Sequence, residues 1–285
     1  MRIAAISDIH ANLPALEAVL EDIARLNCDR VIVAGDFINF GPWPIETLKL
    51  IRGLGDLVIR GNHEGYILSQ SENQADLIPP YRVLFAPSCW TASLLSPQEL
   101  AWLAALPEKI QVNGPDDSEI LVVHGSPRNQ IEGIVPWISE EKLAEIFEGE
   151  IMPRRLVISG HTHRPVIRPW QGMLITNCGS VGISIDGDWR ASYLLAEWDG
   201  EWKAETRRVT YDREKTIKGL ERNCSPNEAG PFMRLVKHDI RTGKSWGIGK
   251  FNQQYLQLGE YPPPPHDFAH LDEAITQHLS RQAGV

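Results

Sequence analysis

The chain has 285 residues, 42% of them hydrophobic, and a net charge of −9, which is enough apolar material for one large domain with an appendage. The acidic balance argues against a broad nucleic-acid groove or an anionic membrane surface, so an anionic substrate has to be drawn in locally, for example by metal ions. Cys28, Cys89, Cys178 and Cys224 show no paired spacing, the chain opens directly on a strand without a leader pattern, and no apolar run reaches the ~20 residues that span a bilayer; a cytoplasmic protein with reduced thiols is expected.

The first elements alternate. Ile3–Ser7 reads as a strand, and Asn12 caps a helix with Pro14 in its first turn. Leu16, Val19, Leu20 and Ile23 fall on one face of that helix. Val31–Ala34 is apolar throughout, as in a strand buried on both faces, and Gly35 lets the backbone turn into Asp36. Pro44 opens a second helix reaching Gly53, and Leu57–Ile59 is a third strand. Tyr66–Leu106 reads mainly as helix, broken at Pro79-Pro80, with a capping box at Ser96-Pro-Gln-Glu99. Lys109–Asn113 and Glu119–Val123 are strands joined by a turn, Ser139 starts a helix, and Leu156–Ser159 is a strand.

Beyond Pro165 the texture changes to short strands, over Val166–Pro169, Met173–Asn177, Ser192–Trp198 and Trp202–Thr210. Asp212 caps a helix ending near Asn223, a further helix fits Ala229–Arg241, Pro262–Pro265 is a stiff spacer, and Asp267–Gln282 suits a terminal helix.

Five strand-like runs stop at polar residues: Asp8 and His10, then Asp36, then Asn62 and His63, then His124, then His161 and His163. A carboxylate at the end of a buried strand is unfavourable unless something positive meets it. Any one of these residues alone reads as a cap or turn residue; buried strand ends converging on Asp, Asn and His form the pattern of a metal site. The motifs Asp8-x-His10, Gly35-Asp36, Gly61-Asn-His-Glu64, His124-Gly125 and Gly160-His-Thr-His163, in this order, closely resemble the calcineurin-like metallophosphoesterase family. Ser7-Asp-Ile-His-Ala-Asn12, Asn177-Cys-Gly-Ser-Val-Gly182 and Arg207-Arg-Val-Thr-Tyr-Asp212 extend the resemblance over roughly the first three-quarters of the chain.

The resemblance implies an α/β fold, a four-layer αββα sandwich of two mixed sheets, with residues 1–225 as the catalytic domain. Residues 226–285 are then an extension, an arm that packs over the site or onto another copy of the chain as a homo-oligomer. It implies two divalent ions: Asp8, His10 and His163 on one, Asn62, His124 and His161 on the other, and Asp36 shared between them. Two dications ~3.5–4 Å apart repel unless such a carboxylate lies between them. Mixed oxygen and nitrogen ligands suit manganese, iron or zinc better than magnesium or calcium. A water bridging the ions is the implied nucleophile, and His63 the general acid; Glu64 either orients His63 or caps the following helix.

Where protein phosphatases of the superfamily carry an Asp-Arg pair, this chain has Asn39-Phe40, which weakens a phosphoprotein reading. Asn39, Phe40, Arg60 and Arg128 are the candidate substrate contacts. Phe37 and Trp43 offer either a stacking wall with Phe40 or loop packing, and Arg164 either a phosphate contact or a surface ion pair. His266 and His270 read as solvated. The expected activity is hydrolysis of a phosphodiester or small phosphorylated metabolite, a nucleotide or cyclic nucleotide among them. A phosphomonoesterase or protein phosphatase is the first alternative and a non-catalytic scaffold the second.

Overall fold

The computed structural model describes residues 1–73, 85–224, 228–245 and 268–283. β1 (Arg2–Ile6) is apolar after Arg2 because both its faces are covered. Ala4 and Ile6 pack with Leu16 and Val19 of α1 (Leu13–Ala24), whereas Ile3 and Ala5 pack with Ile120, Val122, Leu156 and Ile158 of a second sheet. β2 (Arg30–Ala34) lies parallel to β1 on one side and β9 (Ala191–Trp198) antiparallel on the other. β3 (Val58–Ile59) and β10 (Trp202–Val209) complete this five-stranded sheet in the order β10-β9-β1-β2-β3. β3 is only two residues long, so the expected strand at Leu57 shrinks by one position.

The second sheet has the order β4-β5-β6-β8-β7. It is built from β4 (Lys109–Asn113), β5 (Glu119–Val123), β6 (Arg155–Ser159), β7 (Val166–Trp170) and β8 (Met173–Asn177). Its outer face packs on α6 (Glu140–Ile146) through Leu143 and Ile146. The first sheet is covered on its outer face by α1 and α2 (Pro44–Arg52), joined by residues of α3 (Asn62–Asn73), α4 (Ala86–Leu94) and α5 (Pro97–Ala105). The result is the expected four layers, two mixed sheets inside and helices outside. Ser96 and Glu99 form the capping box of α5 in both directions. All four cysteines are free thiols, and Cys178 is buried between the sheets.

The parallel order β1-β2-β3 and β5-β6 points the carboxyl ends of these strands to one edge of the sandwich, which is where the loops carrying the polar motifs leave. Asn12 ties this edge together: its Oδ1 caps α1 and accepts from Thr216, while its Nδ2 donates to the Gly182 carbonyl at 2.8 Å.

After β10 the chain forms α7 (Arg213–Asn223), α8 (Met233–Thr242) and α9 (Phe268–Ala283). Ile217, Leu220, Leu235, Val236, Ile240 and Ile275 gather there with Ile183 and Trp90 in a smaller core. Phe40 packs against it, stacked on Phe232 with ring centroids 5.6 Å apart. The helix expected over Ala229–Arg241 starts four residues later, at Met233. The Pro79-Pro80 break, the boundary at residue 225, the Pro262–Pro265 spacer and His266 lie outside the described residues.

Leu235 is fully buried in the smaller core. Leu235→Ala is expected to lower stability by about 2–5 kcal/mol, read as a fall in the urea midpoint. An unchanged midpoint would show that α8 is not part of the main cooperative unit.

Candidate metal centre

The loops after β1, β2 and β6 turn sharply, and the turning residues are the polar ones. Asp8, His10, Asp36, Asn39, His161 and His163 all have positive φ, between 47° and 80°. Non-glycine residues in that region are strained and hold there only when the surroundings fix them. Backbone hydrogen bonds zip the first two loops together, from Asp8 N–H to the Gly35 carbonyl (3.1 Å), His10 N–H to Asp36 (3.0 Å) and Ala11 N–H to Phe37 (2.9 Å). Two glycines make the close approach possible: a Cβ on Gly61 would strike the Asp36 carboxylate, and one on Gly160 would strike Ser7 and the Asp8 carboxylate.

Each buried carboxylate gives one oxygen to a backbone amide and keeps the other for the centre. Asp8 Oδ2 accepts the His161 N–H at 2.9 Å, leaving Oδ1 at 3.2 Å from His163 Nε2 without a well-formed hydrogen bond. Asp36 Oδ1 accepts the His63 N–H at 2.9 Å, leaving Oδ2 at 3.0 Å from His124 Nε2 and 4.0 Å from His63 Nε2. Carbonyl oxygens only accept, so the backbone sets two histidine tautomers. His124 Nδ1–H donates to Ala34 (2.8 Å) and His163 Nδ1–H to Ile183 (2.7 Å). In their neutral forms both then turn a bare Nε2 lone pair inward. The Nε2 of His163 faces Nε2 of His10 at 3.1 Å, and that of His124 faces Asn62 Oδ1 at 3.0 Å. Asn62 Oδ1 is also 2.9 Å from His161 Nδ1.

Acceptors converging on acceptors need a positive charge between them. For the protein alone, protons supply part of it. Burial works against charge on His124, but the Asp36 carboxylate outweighs burial and lifts it to about 10. Burial likewise opposes charge on His163, yet Asp8 raises it overall. Burial, reinforced by the His124 charge, holds His161 down at about 4. Burial and the neighbouring imidazoles of His63 and His163 leave His10 well below the ordinary range, and its buried Nδ1 has no hydrogen-bond partner. The donor set fits divalent cations. Ligand atoms of Asp8, His10 and His163 lie within 4.8 Å of one another, as do those of Asp36, His124 and His161, and those of His10, Asp36 and His63.

The calcineurin-like phosphoesterase superfamily domain matches residues 1–201. The chain belongs to that superfamily. Its members are phosphoester hydrolases that generally work with divalent metal ions, and this chain is a phosphoester hydrolase on that membership. It is 30% identical over 248 residues to an uncharacterized protein of Methanocaldococcus jannaschii, covering 82% of this chain and 97% of that one. A metallophosphoesterase of Sphaerobacter thermophilus has the same fold, with a TM-score of 0.67 and 30% identity over 85% of this chain and all of that one. A symmetrical bis(5'-nucleosyl)-tetraphosphatase of Psychromonas ingrahamii is 31% identical over 93 residues, 30% of this chain and 33% of that protein. No helix among the described residues is long and apolar enough to cross a membrane.

All seven residues expected as metal ligands come together at this edge, with His63 beside them. Phe40 lies edge-on to His63, with centroids 4.5 Å apart, and Asn39 Nδ2 is 2.9 Å from His63 Nδ1. Two of the expected substrate contacts are already paired with carboxylates. The Arg60 guanidinium binds Glu108 (2.8 Å), and that of Arg128 binds Glu132 and Glu145. Both cations are thus engaged by carboxylates, and Glu132 was within reach of Arg128 at i+4 spacing. Phe37 is fully buried in the main core, which settles its choice between wall and packing.

Glu64 does more than either role expected of it. One oxygen accepts the N–H groups of Gly61 (2.8 Å) and Asp36 (2.9 Å), the other those of Phe37 (3.0 Å) and Ile38 (3.2 Å). The first contact caps α3 from its own first turn; the other three hold the loop that presents Asp36. Burial and the nearby Asp36 push the Glu64 carboxyl up to about 7, while the amide donors favour the anion. Asn177 plays a similar part for the His161 turn, donating to the Gly160 carbonyl at 2.6 Å.

Glu64→Gln puts an NH₂ group against amides that can only donate. The variant is expected to fold but to lose about 10- to 100-fold in manganese affinity, measured by metal titration. Wild-type affinity in this variant would remove Glu64 from the support of the centre.

Proposed function

We propose that the chain hydrolyses a nucleotide-type phosphodiester or phosphoanhydride with two divalent ions. Asp8, His10 and His163 hold one, Asn62, His124 and His161 the other, and Asp36 both. The observation that carries this reading is the position of Asp36, whose ligand atoms lie within 4.8 Å of His10 on one side and of His124 and His161 on the other. A donor set of imidazoles, carboxylates and one amide oxygen favours manganese, then iron or zinc. Bound there, divalent ions supply Lewis acidity toward a water and a phosphoryl oxygen. The relatives named bis(5'-nucleosyl)-tetraphosphatases support a nucleotide as substrate.

The residues of the chain supply the rest. His63 Nε2 points toward the centre, 4.0 Å from Asp36 Oδ2. Its Nδ1 faces Asn39, whose amide orientation is fixed because Oδ1 accepts the Phe40 N–H (3.0 Å) and the Thr91 hydroxyl (3.4 Å). Asn39 therefore presents its NH₂ to Nδ1 and to Ser88. That contact selects the neutral imidazole with its proton on Nε2. Burial lowers the His63 pKa, and the Asp36 carboxylate only partly offsets it. His63 then donates a hydrogen bond to the departing oxygen, which suffices when that oxygen leaves as a phosphate or other stable anion. Full protonation of an alkoxide needs the imidazolium, which the Asn39 NH₂ disfavours. On this reading His63 gives a hydrogen bond instead of the full proton transfer expected of it, which favours phosphoanhydrides or activated esters over alkyl esters, diesters included.

Manganese-loaded protein is expected to turn over a dinucleoside polyphosphate, and Asp36→Asn to bind fewer than two ions per chain and lose that turnover. Fully loaded wild-type protein that hydrolyses no phosphoester would instead support the scaffold reading.

Asn39→Asp replaces the NH₂ with an acceptor for an Nδ1–H and so favours the imidazolium. The ratio of turnover on an alkyl phosphodiester to that on a phosphoanhydride is expected to rise by about tenfold, a fraction of the ~10²–10⁴-fold typical of general-acid catalysis. An unchanged ratio with both ions retained would mean that Asn39 does not set the protonation of His63.

A further inference from the structure

Ten of the eighteen described arginines pair with carboxylates, among them Arg60 with Glu108, Arg155 with Glu119 and Glu150, and Arg207 with Asp22. Arg164 directly follows the ligand His163, yet it has no carboxylate partner among the described residues. Its Nη1 donates to the Thr162 carbonyl at 3.2 Å, and its guanidinium lies over the indole of Trp137, 5.6 Å from the ring centroid.

Trp137 is 71% exposed, whereas the other tryptophans that carry an arginine, Trp102, Trp189 and Trp198, are partly covered. Most of the Trp137 ring is open to water, and the guanidinium laid over it belongs to the residue that follows His163. The loop that presents it is anchored to the centre. The Ile134 carbonyl accepts from Thr162 Oγ1 and Asn177 Nδ2, both at 3.3 Å. Gly133 abuts the His161-Thr162 turn so closely that a Cβ there would strike the Thr162 methyl and sit 3.6 Å from His161 Cδ2. Trp137 and Arg164 thus flank the turn that bears His161 and His163.

We propose that Trp137 and Arg164 form the subsite for the part of the substrate beyond the reacting phosphate, with a nucleobase stacked on the open indole face and the guanidinium paired with a second phosphate. This rests on the phosphohydrolase reading above and narrows it to nucleoside polyphosphates. Stacking on an aromatic ring tolerates every base, so the subsite reads the presence of a base more than its identity. A planar guanidinium without a carboxylate partner suits a phosphate with two accepting oxygens.

The test uses the manganese-loaded full chain and two ligands, adenosine 5'-(β,γ-methylene)triphosphate and inorganic tripolyphosphate, with affinities measured by calorimetry. Trp137→Ala is expected to reduce the ratio of nucleotide to tripolyphosphate affinity by about tenfold, and Trp137→Phe to restore most of it. Arg164→Gln is expected to weaken both ligands by about tenfold, leaving the ratio unchanged. A ratio that Trp137→Ala does not move, or no nucleotide binding by loaded protein, overturns the subsite. So does a wild-type dimer in sedimentation that Trp137→Ala converts to monomer with the ratio intact, which would assign the patch to contact between copies. Turnover in the same preparations keeps the two readings apart: active protein with an unmoved ratio loses only this subsite, whereas loaded protein that hydrolyses nothing loses the reading beneath it.

Discussion

Two carboxylates at the ends of neighbouring parallel strands, Asp8 after β1 and Asp36 after β2, are almost wholly buried, and each turns one free oxygen toward imidazole nitrogens. Buried negative charge is among the most unfavourable features a fold can carry unless it is met by positive charge and hydrogen bonds. Much of this edge of the molecule follows from that requirement. The loops bend through left-handed conformations because that is how short connections aim acceptors at one point. Amides at His63 and His161 satisfy the outward oxygens, and cations complete the inward ones. Protons on His124 and His163 meet the requirement in part, and the same donors could hold a divalent ion.

The sandwich makes this arrangement tolerable by placing rigid material beneath it. β1 is apolar after Arg2, packed on α1 outside and on the second sheet inside, so its end is backed by close-packed side chains on both faces. Glu64 links the layers in a way that strand packing alone does not. It fastens the first turn of α3 to the loop after β2, and α3 also carries Asn62 and His63. The positions of Asn62, of the proposed hydrogen-bond donor His63 and of Asp36 are therefore tied together by one side chain. Phe40 extends the same coupling outward, touching His63 on one side and Phe232 of the C-terminal part on the other.

How much of this was legible in the sequence depended on the range of the interaction. The convergence of these seven residues was legible because they follow apolar strands, and five such runs that all stop at Asp, Asn or His exceed what caps and turns require. The helix starts at Asn12, Ser96 and Asp212 were legible because a cap acts within four residues. Glu64 was legible only as a cap or as a support for His63; three of its four amide partners belong to a loop that the fold brings in from elsewhere. Arg60 and Arg128 looked like phosphate contacts because they adjoin motifs, but proximity in sequence does not set where a long side chain points, and nearby carboxylates claimed both. The stacking of Phe232 on Phe40 left no local trace, since it depends on the return of α7 to the face of α1.

The placement of Phe232 has a consequence for how the protein comes into being on the ribosome. All seven metal-binding candidates precede residue 164, while the aromatic ring that backs Phe40 and the strand β9 that pairs with β1 are made afterwards. Synthesis proceeds at ~5–20 residues per second, with amino-terminal parts ordering first. For several seconds the nascent chain holds its whole ligand set while this wall is still missing. An ion reaching these candidates in that interval would meet a side that Phe232 and Phe40 together line only later.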